Sequence, residues 1–431
     1  MKNLKNKEKR ISGTKLMTIS IIAFGSFICS VNLQAQSSFG SGFDEQDFYK
    51  PFSINDITPE NMQHWPYYKY ASVHWDEYGI HGTEKIPHSK SPAKISVAEG
   101  DNRLDLNTEW KDGKSYMESF VGTQVKAFVV MKDNEILAEF YDNGFTLDDT
   151  QLLQSASKSF AGVIVGRLVD QGLINTNIKL EEYLTDFKGT DLGNAKVQDI
   201  LDMLSGLPAL LDYHTPGADG QKFEVEIGLQ PGKATGHRNY IKAAKAESKP
   251  GESYKYSDIN TDALALLCEK VSGKKYSQLL SELFNDIGAN SDGSIALSSD
   301  GTASANYGIS MSARDYALFH QWIAKGKAPK SYYKSATDIS KTKFGEDETG
   351  KLFGGGITYG SQSYYMAEHN VLYSQGSYGQ QGFSDLSTGV SVIFLQDWAV
   401  NAEMDKLLGS REKALAIIMY LRAQSSDLQG Y

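Results

Sequence analysis

"LLQSASKSFAGVIVGRLVDQG", residues 152–172, is the stretch on which the reading of the whole chain turns. It contains Ser155-x-x-Lys158, followed by apolar residues at Phe160, Val163, Ile164, Leu168 and Val169. That spacing predicts a helix starting just after Ser155. Gly162 and Gly166 each weaken such a helix by roughly 1 kcal/mol relative to Ala, so close packing against neighbouring elements is expected to compensate. Residues three apart on a helix are surface neighbours, which brings Lys158 within reach of the Ser155 hydroxyl. A serine hydroxyl becomes a nucleophile at neutral pH only beside a base. Lysine serves as that base when burial or positive potential lowers its pKa, and a helix N-terminus supplies some of that potential. The same terminus presents free N–H groups to an oxyanion.

Spacing alone is weak evidence. Ser12/Lys15, Ser91/Lys94, Ser272/Lys275, Ser331/Lys334 and Ser340/Lys343 repeat it. Those five fall in the N-terminal leader, in loops or in charged turns. Only Ser155 opens a buried helical pattern.

The chain has 431 residues, 40% hydrophobic and 22% charged, enough for one large domain or two closely packed ones. Residues 1–35 read as a signal peptide. A basic start, an apolar run from Leu16 to Val31 broken by Thr18, Ser20, Ser26 and Ser30, and small Ala35 in "LQAQ" fit cleavage and export better than a permanent anchor. A periplasmic or secreted product is expected, with anchoring by an uncleaved leader as the alternative. Ile28 is too bulky to make Cys29 a lipoprotein site. The leader carries six basic residues and one acid, so its loss takes the net charge from −10 to −15. An acidic chain without a basic cluster is not expected to bind nucleic acid. Cys268 is then the single cysteine, leaving no internal disulfide, and it sits in the apolar pattern "DALALLCEKVSG".

Residues 36–110 read as an N-terminal arm and packing segment; the aromatic-dense "HWPYYKYASVHWDEYGIH" is expected to lie over a domain surface. His64, His74, His81 and His88 have no close ligand spacing, so no metal and no cofactor are expected. "VKAFVVMKDNEILAEFYDNG" reads as a hairpin turning at "KDNE". "VQDILDMLSGLP" puts Ile200, Leu201 and Leu204 on one helical face before Gly206 and Pro208. Further helices are expected at 261–271, 276–284, 312–325 and about 402–423, with Ser312 and Asp315 as a cap. Residues 331–356 look like a mixed-charge surface excursion ending in a glycine run. Strand signals return at "ITYGSQSYYM", "NVLYSQGSYG" and "GVSVIFLQDW". Strands at both ends and helices between predict an α+β domain over 111–431, with an antiparallel sheet built from both chain ends and a mostly helical subdomain at about 170–330.

"SASKSF" with "GVIVGRLVDQGLI", then "LEEYL", then "VQDILDMLSGL", resembles the serine β-lactamase and penicillin-binding-protein-like hydrolases. "KPGESYKYSDINTDALALLCEKVSG" is similar to that family's second motif, which implies Tyr256 as the catalytic tyrosine and puts Asp258 where Asn or Ser is commoner. "ISMSARDYALFHQWI" matches the helix before the third motif. Counting back from "GVSVIFLQ" places the third motif at Ser374-Gln375-Gly376, with Ser377 offering the second oxyanion N–H; a register one to three residues later, at "SYGQ", stays open. "HWPYYKYA", "YGSQSYY" and "GSYGQQG" resemble the branch containing 6-aminohexanoate-dimer (nylon oligomer) hydrolases and related esterases, itself similar to class C β-lactamases. The resemblance runs from about residue 60 to the C-terminus.

It implies a serine hydrolase acting through a Ser155 acyl-enzyme, with Lys158 and Tyr256 transferring protons and Gly376 and Ser377 at the oxyanion. The third motif lacks the Lys that holds a substrate carboxylate in penicillin-recognising relatives. A small linear amide, ester or peptide is therefore the expected substrate. The alternatives are a β-lactamase, a D-Ala-D-Ala carboxypeptidase, or an inactive relative that binds a peptide or partner. Asp258 either holds Lys158 protonated or turns away from it. His237, His320 and His369 read as structural or surface residues.

Overall fold

The computed structural model describes residues 53–427 apart from 143, 144, 211 and 214. The signal peptide expected at 1–35 lies outside the described residues.

The main sheet has eight strands: β1 (Ser96–Val97), β2 (Val125–Lys132), β3 (Glu135–Tyr141), β4 (Ile357–Gly360), β5 (Ser363–Met366), β6 (Val371–Gly376), β7 (Gln380–Asp385) and β8 (Ser391–Gln396). Their spatial order is β4-β5-β6-β7-β8-β2-β3-β1. β8 pairs antiparallel with β2, Ile393 opposite Val129, which joins the two chain ends as expected. The one parallel pair in this sheet is β1 with β3 at the edge. The β2–β3 hairpin turns at Asp133 and Asn134, both with positive φ. Asp and Asn tolerate that conformation, and the resulting turn matches the strand twist. Sequence reading missed β7, whose "QQGFSD" is too polar to signal a strand although every residue in it is buried.

A second, four-stranded antiparallel sheet joins Thr83–Ile86, Gly293–Ala296, Ile309–Ser312 and Thr150–Leu152. Two of its strands lie inside the region expected to be mostly helical. The helices that matter for the site are α1 (Lys158–Asp170), α2 (Asp258–Ser272), α3 (Ala313–Ala324) and α4 (Met404–Asp427). Ser312 caps α3 by accepting the Asp315 N–H. Alternate residues of the main sheet feed two cores. Val129, Met131, Ile393 and Leu395 pack with α1 and α3, where Phe160 stacks on Phe319 at 3.8 Å between centroids. Phe128, Val130, Phe383 and Phe394 pack with Leu407, Ala414 and Ile417 of α4.

Two segments are more deeply built in than expected. The aromatic segment does not merely cover a surface, because Met62, Tyr68, Ala71 and Trp75 are buried in the core. Residues 331–356 are not a loop excursion. They form helices Lys330–Ala336, Lys343–Glu346 and Glu348–Leu352, and bury Tyr332, Phe344 and Phe353. The charges that suggested a solvated loop occupy the outer sides of these short helices, while a few aromatics anchor them.

The glycines of α1 are explained by close approach. A Cβ at Gly162 would lie 1.9 Å from the Ser361 carbonyl oxygen, and one at Gly166 would lie 2.8 Å from Tyr332 Cβ. Gly162→Ala is expected to lower stability by about 1–3 kcal/mol through overpacking. That outcome runs against the roughly 1 kcal/mol by which Ala is the better helix former. Urea unfolding checks it, and a stabilised variant would show that α1 does not depend on this contact.

Candidate active site

Ser155 stands on a one-turn 3₁₀ segment, Gln154–Ser157, that leads into α1. The residue before it, Gln154, has φ +52, a left-handed conformation that costs a non-glycine residue roughly 1–2 kcal/mol. The turn is held by bonds on several sides. Leu153 N–H donates to the Ile309 carbonyl at 2.8 Å, Ile309 N–H donates to Ser157 Oγ at 3.1 Å, and Gln154 Nε2 donates to Tyr68 Oη at 3.1 Å. Tyr68 also stacks its ring on Tyr378 at 3.7 Å. Tyr378 is itself at φ +60, just beyond β6. One buried tyrosine of the N-terminal segment thus supports both strained residues.

Lys158 is 2% exposed. Its Nζ lies 2.9 Å from Ser155 Oγ, 2.8 Å from the Asn306 carbonyl and 2.6 Å from Asp258 Oδ1. It also sits 5.0 Å from the Tyr256 ring centroid. The Tyr256 side chain interacts with both Ser155 and Lys158, each of which favours its ionised form. The structure therefore brings Ser155, Lys158, Tyr256 and Asp258 together, and Asp258 turns toward the lysine. Burial drives the Lys158 ammonium down, but the Asp258 carboxylate and Tyr256 more than reverse this, leaving its pKa above the ordinary lysine value. Burial likewise raises Tyr256, with Lys158 opposing.

Asn306 is held from behind. Its N–H and Nδ2 donate to Asp262 at 2.9 and 2.7 Å, and the buried His237 Nε2 lies 3.0 Å from the same carboxylate. Sequence reading missed Asn306, Asp262, Tyr68 and Gln154. The one available signal was that Asp262 follows Asp258 by one helical turn. His237, left as structural, belongs to this support.

At the third motif, the backbone that meets the nucleophile turn is that of Gly376. A Cβ there would lie 2.2 Å from the Leu153 carbonyl oxygen and 3.1 Å from Ala156 N. Ser377 follows directly and is half-buried. Ser374, two residues back on the same face of β6, has its Oγ 2.5 Å from Tyr316 Oη and 2.8 Å from His320 Nε2. Burial pushes His320 down to about 3, so this polar knot against α3 is neutral. Glu224 carries a further carboxyl coupled to Asp258. Burial pushes it up to about 8 and Asp258 adds to the push, against hydrogen bonds from Gln230 and Gln63. No cluster of three or more His, Cys, Asp or Glu side chains suited to a metal occurs among the described residues, and no helix there is long and apolar enough to cross a membrane.

Comparison with known proteins gives consistent likenesses. The beta-lactamase family model matches residues 117–415. The 6-aminohexanoate-dimer hydrolase of Paenarthrobacter ureafaciens is 30% identical over 283 residues, which is 64% of this chain and 70% of that protein. A solved Bacillus anthracis protein, proposed to be a 6-aminohexanoate-dimer hydrolase, superposes with a TM-score of 0.76 at 20% identity, over 86% of this chain and 98% of its own. A class C β-lactamase superposes at 0.50 with 15% identity, over 70% and 92% respectively.

Two outcomes follow from this geometry. Gly376→Ala is expected to cut hydrolysis roughly 100-fold or more, because even about 1 Å of displacement at a reacting site costs that much. Steady-state kinetics checks it, and unchanged kcat would mean that another residue meets the turn. Glu224 stays protonated in the fold up to about pH 8 but ionises near the ordinary carboxyl value when unfolded. Its contribution to stability is therefore present at low pH and is lost as pH rises toward and through 8. Glu224→Gln is expected to flatten that fall in a series of thermal melts from pH 5 to 9; an equal fall in both proteins would refute the assignment.

Proposed function

The chain belongs to the beta-lactamase family of serine hydrolases, and from that membership we propose that it is an exported hydrolase of small linear amides or esters, working through a Ser155 acyl-enzyme. The observation that carries the reading is the convergence of Ser155, Lys158 and Tyr256 on one turn against which the Gly376 backbone packs.

Ser155 Oγ attacks the substrate carbonyl while Lys158 and Tyr256 move the protons. The N–H groups of Ser155 and Ser377 hold the oxyanion, and water then releases the acid. The residues at 374–377 are Ser, Gln, Gly and Ser, and the Ser374 hydroxyl is engaged by Tyr316 and His320 of α3. A substrate carboxylate would meet neutral donors there, and neutral hydrogen bonds are about half as strong as charge-assisted ones. This favours uncharged linear acyl groups over penicillins. The relative named 6-aminohexanoate-dimer hydrolase supports a linear amide. The basic, apolar leader at 1–35 supports export.

A panel of p-nitrophenyl butyrate, aminohexanoate dimer, D-Ala-D-Ala peptide and nitrocefin tests the substrate class. Turnover of a linear ester or amide well above nitrocefin is expected, falling by several orders of magnitude in Ser155→Ala. Efficient nitrocefin turnover with little on the linear substrates would overturn the substrate class. Equal rates in wild type and Ser155→Ala would overturn the nucleophile.

A further inference from the structure

Beside the Tyr256 hydroxyl, Lys158 meets oxygens on three separate segments: Ser155 on its own turn, Asn306 on the loop before Ile309–Ser312, and Asp258 at the first residue of α2. This arrangement serves two protonation states without moving a heavy atom. An ammonium donates to Ser155 and Asn306 and turns its third N–H toward the Asp258 carboxylate. A neutral amine donates to Asn306 and Asp258 and takes the Ser155 O–H on its lone pair. What differs between the two is the orientation of the Ser155 hydroxyl, and only the second arrangement activates it. Asn or Ser at 258, the residues the family resemblance implies, would supply no negative charge to choose between these states.

We propose that Asp258 sets the protonation of the Lys158 base, holding it as an ammonium in the resting site, so that loss of the ammonium proton to solvent gates the attack by Ser155. This rests on Ser155 being the nucleophile, as proposed above. In acylation the Ser155 O–H bond breaks and the Oγ–acyl bond forms, with the carbonyl π pair moving to its oxygen. The Ser155 proton goes to the neutral Lys158 Nζ, and the ammonium so formed is held by Asp258 Oδ1 at 2.6 Å. When the adduct collapses, the bond to the leaving nitrogen or oxygen breaks and that atom keeps the electron pair. It takes a proton from Tyr256, which is resupplied from Lys158. The net result is one proton moved from Ser155 to the leaving group, with Lys158 again the neutral amine. Asp258 acts through Lys158 and is a positioning residue.

The other groups around the lysine do not compete for this role. Tyr256 contributes a hydroxyl and a ring face, and Asn306 contributes an uncharged carbonyl. Asp262, behind Asn306, is engaged by Asn306 and His237. Glu224 and Tyr213 are coupled to Asp258 and not directly to Lys158. The side chain of Asp258 is 16% exposed, against 2% for Lys158, so the pair is open to solvent on the carboxylate side.

The test is the rate of covalent labelling by a fluorophosphonate probe as a function of pH, which reports the nucleophile and its base whatever the natural substrate is. For wild type the rate is expected to rise along a limb set by deprotonation of Lys158. In Asp258→Asn burial acts on Lys158 with only Tyr256 left to oppose it, and the limb is expected to fall by about one pH unit or more. Relative to its own plateau, the variant then labels roughly tenfold faster than wild type at a pH below both limbs. Asp258→Ser is the second neutral variant if Asn does not fold, and Asp258→Glu, which keeps the charge, is expected to keep the limb. A limb at the same pH in a neutral variant would overturn the proposal even if the overall rate fell, since a merely structural loss lowers the plateau without moving the limb. A wild-type protein that is not labelled at Ser155 would overturn the nucleophile itself and this inference with it.

Discussion

A lysine that is almost wholly removed from water has to be met by acceptors or lose its charge, and the site is organised around that requirement. Lys158 finds its acceptors on segments about 100 and 150 residues away in sequence, so the strand pairing and the placement of α2 must be correct before the site can exist. Breaking one side of a buried ion pair costs about 3–5 kcal/mol, because the remaining charge stays buried. The fold accordingly secures the acceptors themselves. Asn306 is tied by two hydrogen bonds to Asp262, Asp262 is met by His237, and both partners of that second pair are fully buried.

Backbone strain is the second organising constraint. Gln154 and Tyr378 both occupy the left-handed region, one immediately before Ser155 and the other two residues after Gly376. Strained residues persist where their surroundings over-determine them. Tyr68 does this for both, through its hydroxyl to Gln154 and its ring on Tyr378. The aromatic N-terminal segment thereby becomes part of the active-site scaffold. The cis peptide between Trp65 and Pro66 lies in this same segment, shortly before Tyr68.

On β6 two small residues face the same helices. Gly376 is bare, so its backbone approaches the turn that carries Ser155, while Ser374, two residues back on the same face, is bound into a neutral knot with Tyr316, His320 and Ser384. Gly382 on the paired strand lets His320 in, since a Cβ there would lie 2.2 Å from the imidazole.

What the sequence by itself determined is local or periodic. Ser155 and Lys158 are neighbours because helical positions three apart share a face, and the hairpin at Asp133–Asn134 follows from residues that accept positive φ. The two-ended sheet and the central helices were legible because apolar periodicity survives without knowledge of partners. Tyr256 and the candidate third motif were singled out only through the order of motifs along the chain. The tertiary structure decided the rest. Whether Asp258 faced the lysine, which residue of "SQGSYG" met the nucleophile turn, and whether Tyr332, Phe344 and Phe353 made 331–356 part of the core all depend on contacts between residues far apart in sequence. A carboxylate's direction, a glycine's clearance and a polar strand's burial are set by what packs against them, and that neighbour is not written into the surrounding residues.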